Sequence, residues 1–381
     1  MNKNYVFALV PPDKNWEISG YEKTKDTHIH LRGWWSVSLI KTILEERGCD
    51  FRLAHEYSDQ ELKNVDFFLF ENSLPFHYKY YRKLVRWGME YKAIYFMMEP
   101  EVVLPWHCVE KVSNILKYYA AIFTWRPDIY TKNRCFETSI ISLPNSNIIY
   151  SNQAFSQRKL ITMISVYSEV HRSGELYSER RRLAKWFEDN HPEDFDLYGR
   201  GWPNYQCYKG VCGNKQDVYH KYKFAITLEN SVCEGYFEEK MISAWQSGVV
   251  PIYKGARDIH QLIPYDCFID YDEYIDDGGE ERLYKYLTTM TEERYNMYLL
   301  EAKKALELDV VKKRMPSYWC NKLIEMADVL YEQHSFHVSK FSFFKVQLLY
   351  TQYLIREVIR KTLWAYFIKP IIKKYSQHKR R

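Results

Sequence analysis

Nine short apolar runs punctuate the chain: Tyr5–Val10, Val65–Phe70, Ala93–Met98, Ala120–Trp125, Leu160–Val166, Phe195–Tyr198, Phe224–Leu228, Val249–Tyr253 and Cys267–Asp270. Each is bounded by polar or turn residues, as strands buried on both faces of a parallel sheet are. Helix-like stretches lie between them, clearest at Ser36–Arg47, Glu175–Asp189, Tyr236–Ser247 and Glu280–Leu306. Strand alternating with helix restricts the chain to an α/β fold built on parallel sheets. The segment Asn145–Gln157 is rich in Asn, Ser and Gln without apolar periodicity and reads as a linker. It separates a first domain, residues 1–150, from a second, 158–335; a basic segment, 336–381, follows. No internal repeat is evident.

With 381 residues the chain is long for one core and suits two domains. Apolar residues make up 46% and charged residues 27%, which excludes wholesale disorder. The eight cysteines include no C-x-x-C pair and read as free thiols of a reducing compartment. No run approaches the eighteen uncharged apolar residues of a membrane span. Of the 54 Lys and Arg, eleven lie from Lys340 to Arg381, with one acidic residue, Glu357; the rest of the chain has 43 basic against 48 acidic residues. A body of net −5 with a tail of net +10 argues against a nucleic-acid binder and for one local anionic partner.

The most informative segment is Lys221–Ala256, KYKFAITLENSVCEGYFEEKMISAWQSGVVPIYKGA. It reads as strand, loop, helix, strand. The first strand ends in Glu229-Asn230-Ser231, and ligands of open α/β sheets bind at the carboxyl ends of strands. A helix opening near Tyr236 would offer free N–H groups and a positive dipole end, both suited to a diphosphate. Lys240, about a turn into it, supplies a full charge, and Glu239 accepts hydrogen bonds from ribose or sugar hydroxyls.

The string itself resembles the signature of the α-1,3/1,4-fucosyltransferases of glycosyltransferase family 10, bacterial type. It carries Tyr222-Lys223-Phe224, Glu229-Asn230-Ser231, Tyr236, Glu239-Lys240, Ala244 and Gly248 through Tyr253, closing at Gly255. The departure is Phe237-Glu238, where the family has an aliphatic residue and Thr. The resemblance implies GT-B architecture: two Rossmann-like domains facing a cleft, with donor GDP-fucose on the second. It implies inversion at the fucose carbon and no obligatory metal, so cations must neutralise the leaving diphosphate. It assigns Lys223, Glu229, Asn230, Tyr236, Glu239 and Lys240 to the donor, and adds an Arg from Arg180-Arg181-Arg182, by register Arg180. Arg200 is a weaker candidate. The acidic residues Asp270 and Asp272 form no convincing D-x-D and read as solvated loop residues.

Direct displacement needs a base for the acceptor hydroxyl. The family carries a carboxylate after a strand of its first domain, and Glu99 of Met98-Glu99-Pro100-Glu101 stands there, with Glu101 as rival. His28 and His30 alternate beside Trp34-Trp35, a pattern too common to indicate a metal.

The tail mixes Ile355, Ile359, Leu363 and Phe367 with Arg356, Arg360, Lys361, Lys369, Lys373 and Lys374, and has Trp364 near its middle. Such a helix suits an anionic bilayer surface. Bacterial members of the family often end in such tails. The expectation is therefore a cytoplasmic enzyme, peripheral on the inner face of the membrane, adding fucose to a lipid-linked or lipopolysaccharide glycan. The alternatives are transfer of another nucleotide sugar, or a non-catalytic glycan- or nucleotide-binding protein.

Overall fold

The computed structural model describes residues 4–12, 34–74, 79–138, 150–332 and 343–363. They form two all-parallel sheets. The first, in order β2-β1-β3-β4-β5-β6, comprises β1 (Val6–Val10), β2 (Asp50–Leu53), β3 (Phe67–Glu71), β4 (Ala93–Met97), β5 (Ala121–Thr124) and β6 (Cys135–Glu137). The second, in order β11-β10-β9-β7-β8, comprises β7 (Lys159–Ile164), β8 (Phe195–Tyr198), β9 (Tyr222–Ile226), β10 (Val250–Tyr253) and β11 (Ile269–Asp270). All nine apolar runs carry a strand. The two strands outside them, β2 and β6, are the edges of the first sheet. Their mixed sequences, DFRL and CFE, suit a position with no sheet neighbour on one side.

The longer helices are α1 (Trp34–Glu46), α2 (Lys79–Trp87), α3 (Tyr177–Asn190), α4 (Lys215–Tyr219), α5 (Glu239–Gln246), α6 (Gly279–Thr289), α7 (Glu292–Ala305), α8 (Pro316–Glu332) and α9 (Phe343–Leu363). The strand period of two sends Phe7 and Leu9 to one face of the first sheet, against Ile40 and Leu44 of α1. Ala8 and Val10 go to the other, against Tyr81 and Leu84 of α2. In the second domain, Leu183 and Phe187 of α3 pack on Phe195, Phe224 and Ile226. The helix expected over Glu280–Leu306 divides at Met290-Thr291, where Thr291 caps α7 by accepting the Arg294 N–H.

Two sets of contacts cross the domain bounds read from the sequence. Helix α8 packs on the first domain: Trp319, Leu323, Met326 and Leu330 join the core of Phe7, Ile40 and Leu44. Tyr5 also donates to Asp328 at 2.6 Å. Helix α8 thus follows the second sheet in sequence and packs on the first. A helical stripe shows in the sequence at 319, 323, 326 and 330, but not which surface it covers. Nor is the tail separate from the body. Val346 of α9 is buried against the α2 side of the sheet, Arg82 donates to Gln347 at 3.2 Å, and its guanidinium lies over the Tyr350 ring. Further along α9, Ile355, Val358 and Ile359 are exposed. No described helix is long and apolar enough to cross a membrane. His28, His30 and residues 364–381, including Trp364 and Phe367, lie outside the described residues.

Candidate active site

The carboxyl ends of β3, β4, β9 and β10 meet where the two domains face each other. Helix α5 begins at Glu239, not near Tyr236. Buried Arg314 holds the preceding loop irregular by donating to the carbonyls of Phe237 (2.9 Å) and Gly235 (3.3 Å). Lys240 is thus the second helical residue. Its ammonium lies 2.6 Å from Glu229 Oε2 and 2.6 Å from Glu238 Oε2. Glu229 is wholly buried, and its other oxygen accepts the Glu238 N–H at 2.9 Å. Gly255 makes room for it: a Cβ there would stand 2.4 Å from Glu229 Cγ and 2.4 Å from the Tyr253 hydroxyl. Burial disfavours the Lys240 charge, but Glu229, Glu238 and Glu239 outweigh it and hold the ammonium well above the usual lysine range.

Arg180, in the first turn of α3, is 4% exposed. It donates to the Leu228 carbonyl at 2.5 Å and to Asn230 Oδ1 at 3.1 Å. Asn230 in turn donates to the Tyr236 hydroxyl at 3.3 Å. The Tyr236 ring lies 5.1 Å from that of Trp125, at the end of β5, and so couples the Glu229–Lys240 segment to the first domain. Arg181 and Arg182 turn elsewhere, Arg181 to the Ser168 carbonyl and Arg182 to Glu179, Glu280 and Tyr271.

Glu99 follows β4. Its Oε2 is buried with no hydrogen-bond partner. Burial, then the charge of Glu238, push this carboxyl from 4.5 up to about 8, against the pull of Lys240. Its backbone is clamped on both sides. Asn72 Oδ1 accepts the N–H groups of Met98 (2.9 Å) and Glu99 (3.3 Å), and the Trp125 indole donates to the Met98 carbonyl at 2.6 Å. His107, which burial lowers to about 4 and keeps neutral, donates from Nδ1 to the Glu99 carbonyl at 2.5 Å. Its Nε2 then accepts from Tyr95, whose oxygen accepts from the Trp106 indole. Glu101, the rival, is half exposed and paired with Arg126 at 3.5 Å.

Glu99, Arg180, Glu229, Asn230, Tyr236 and Lys240 thus come together. Glu239 borders them, paired with Lys215 of α4 at 2.9 Å. Lys223 does not join: it sits at the amino end of β9, over the Phe155 ring. Arg200 is exposed. Asp270 and Asp272 pair with His260 and Lys254. Asn72, Trp125, His107 and Arg314 escaped the sequence reading. For Asn72 a signal exists: Glu71-Asn72-Ser73 at the end of β3 repeats the tripeptide Glu229-Asn230-Ser231 that follows β9.

Solved structures share this fold. An α1,3-fucosyltransferase superposes with a TM-score of 0.52 at 14% identity, over 89% of this chain and 93% of that one. A second structure, with GDP, gives 0.53 at 12% identity, over 88% and 94%. The fold is that of the two-domain GT-B glycosyltransferases. Within that class, residues 156–339 match the family model described as glycosyltransferase family 10 (fucosyltransferase), C-terminal part. Curated relatives match over shorter segments. GDP-fucose protein O-fucosyltransferase 3 of Danio rerio is 44% identical over 52 residues, 13% of this chain and 11% of the relative. Alpha-(1,4)-fucosyltransferase of Arabidopsis thaliana is 36% identical over 66 residues, 17% and 16%. Alpha-(1,3)-fucosyltransferase C of Drosophila melanogaster is 25% identical over 122 residues, 28% of each. The chain thus matches less than a third of the length of each of these relatives.

Proposed function

We propose that the chain transfers fucose from GDP-fucose to a glycan hydroxyl by direct, inverting displacement, in α-1,3 or α-1,4 linkage to N-acetylglucosamine or glucose of a surface polysaccharide or lipopolysaccharide. The observation that carries the reading is the buried, unpartnered Glu99 Oε2 facing a donor segment whose cations are Lys240 and Arg180. Glu99 takes the proton of the attacking hydroxyl. Lys240 and Arg180 neutralise charge developing on the departing diphosphate in a site shielded from water. Asn230 and Tyr236 shape the donor pocket. Exposed Ile355, Val358 and Ile359 on α9, beside basic α2 (KYYRKLVRW), support peripheral binding to the anionic cytoplasmic face of a membrane.

Incubation with a panel of radiolabelled nucleotide sugars and galactose–N-acetylglucosamine acceptors tests this. Label should pass from GDP-fucose and not from UDP-sugars; transfer from a UDP-sugar at an equal rate would overturn the donor assignment.

A further inference from the structure

The departure from the family string, Glu238, lies at the centre of the site. Lys240 is held by two carboxylates at the same 2.6 Å, but they are not equivalent. Glu229 is wholly buried, takes the Glu238 N–H, and fills the space left by Gly255, so it is the fixed partner. The Glu238 side chain keeps 14% of its surface in solvent and is the partner on the open side. The other groups acting on this cluster are Glu99 and Glu71 from the first domain, Tyr177 and Arg180 of α3, Tyr236 and Glu239 around the start of α5, and Lys215 of α4.

We propose that Glu238 sets the charge of the donor site in two directions: it competes with the donor diphosphate for Lys240, and its negative charge acts across the cleft on Glu99. The proposal rests on the donor reading above. Burial and the negative charge of Glu238 both oppose ionisation of Glu99. A neutral side chain at 238 therefore frees Lys240 for phosphate and lets Glu99 ionise at lower pH. A residue that only held the loop in shape would do neither, since its loss would weaken ligand binding.

Calorimetric titration of the full chain with GDP, from pH 7 to pH 9.5, tests both parts. This range lies above the phosphate's own titration near pH 6. In the parent protein GDP affinity should fall as pH rises through about 8, where Glu99 becomes charged beside the site. Glu238→Gln and Glu238→Thr should each bind GDP about tenfold tighter at pH 7.5, and the fall should begin about one pH unit lower. Glu238→Asp, which keeps the charge, should stay near the parent. Equal GDP affinity and an unmoved pH midpoint in the neutral variants would overturn the proposal while leaving the donor reading intact. Absence of GDP binding in the parent and in every variant would instead remove the donor reading, and the proposal with it.

Discussion

The side-chain carbonyl of Asn72 accepts the backbone N–H of Glu99 at 3.3 Å, and that of Met98 at 2.9 Å, so a residue at the end of β3 fixes the residue after β4. Asn72 does this from a left-handed conformation, φ 54°, which Asn tolerates better than most side chains. Asn72→Gly keeps that backbone and removes the acceptor. It should lower kcat by about 10²-fold through misplacement of Glu99. GDP affinity should be unchanged, which equilibrium titration beside steady-state kinetics would check.

Lys240→Ala leaves Glu229 buried without its cation. Breaking a buried pair in this way costs about 3–5 kcal/mol. Burial already pushes Glu229 up to about 7 with Lys240 present, and losing the lysine moves it in the same direction. A carboxyl raised in the folded state favours folding below its unfolded value, and that contribution is lost as pH rises through the folded one. The deficit of Lys240→Ala should thus be larger at pH 8.5 than at pH 5. Lys240→Met with Glu229→Gln should recover most of it. Denaturant titrations at the two pH values measure both effects.

As the proposed base, Glu99 gives turnover its pH dependence. A base works ionised, and this carboxyl is raised from 4.5 to about 8. The sign follows: kcat/KM should rise with pH and level off above about 8. The same group favours the folded state most below 4.5 and ceases to as pH passes about 8. A profile already flat from pH 5 upward would place the base elsewhere.

For the tail, vesicle sedimentation should show binding that needs anionic lipid and weakens as salt rises. Removal of residues 364–381 should weaken it and leave thermal stability unchanged. Removal from Phe343 onward should also lower the melting temperature, because it uncovers the surface that Val346 buries.

The strands were legible because buried parallel strands advertise themselves as local apolar runs; β2 and β6, at sheet edges, do not. The crossing of α8 into the first domain was not legible, since the stripe Trp319, Leu323, Met326 carries no mark of its partner. The cluster from Glu229 to Lys240 was readable because it follows the chain. Arg180 could be chosen over Arg181 and Arg182 only by register, and burial against Leu228 and Asn230 is what sets it apart. Lys223 shares the motif but sits at the wrong end of β9, because a string of residues records sequence proximity and not strand direction. Glu238 stood in the string as a departure from the family pattern, and its pairing with Lys240 shows only in the structure.

Glu99 is proposed as the base of a fucosyl transfer. Glu99→Gln keeps its shape and removes its basicity. Fucose transfer from labelled GDP-fucose, measured beside GDP binding in the same preparation, separates that role from a structural one. The expected result is a fall in kcat of about 10²–10⁴-fold with GDP affinity close to that of the parent protein. Near-normal turnover in Glu99→Gln, with activity lost in Glu101→Gln, would contradict it.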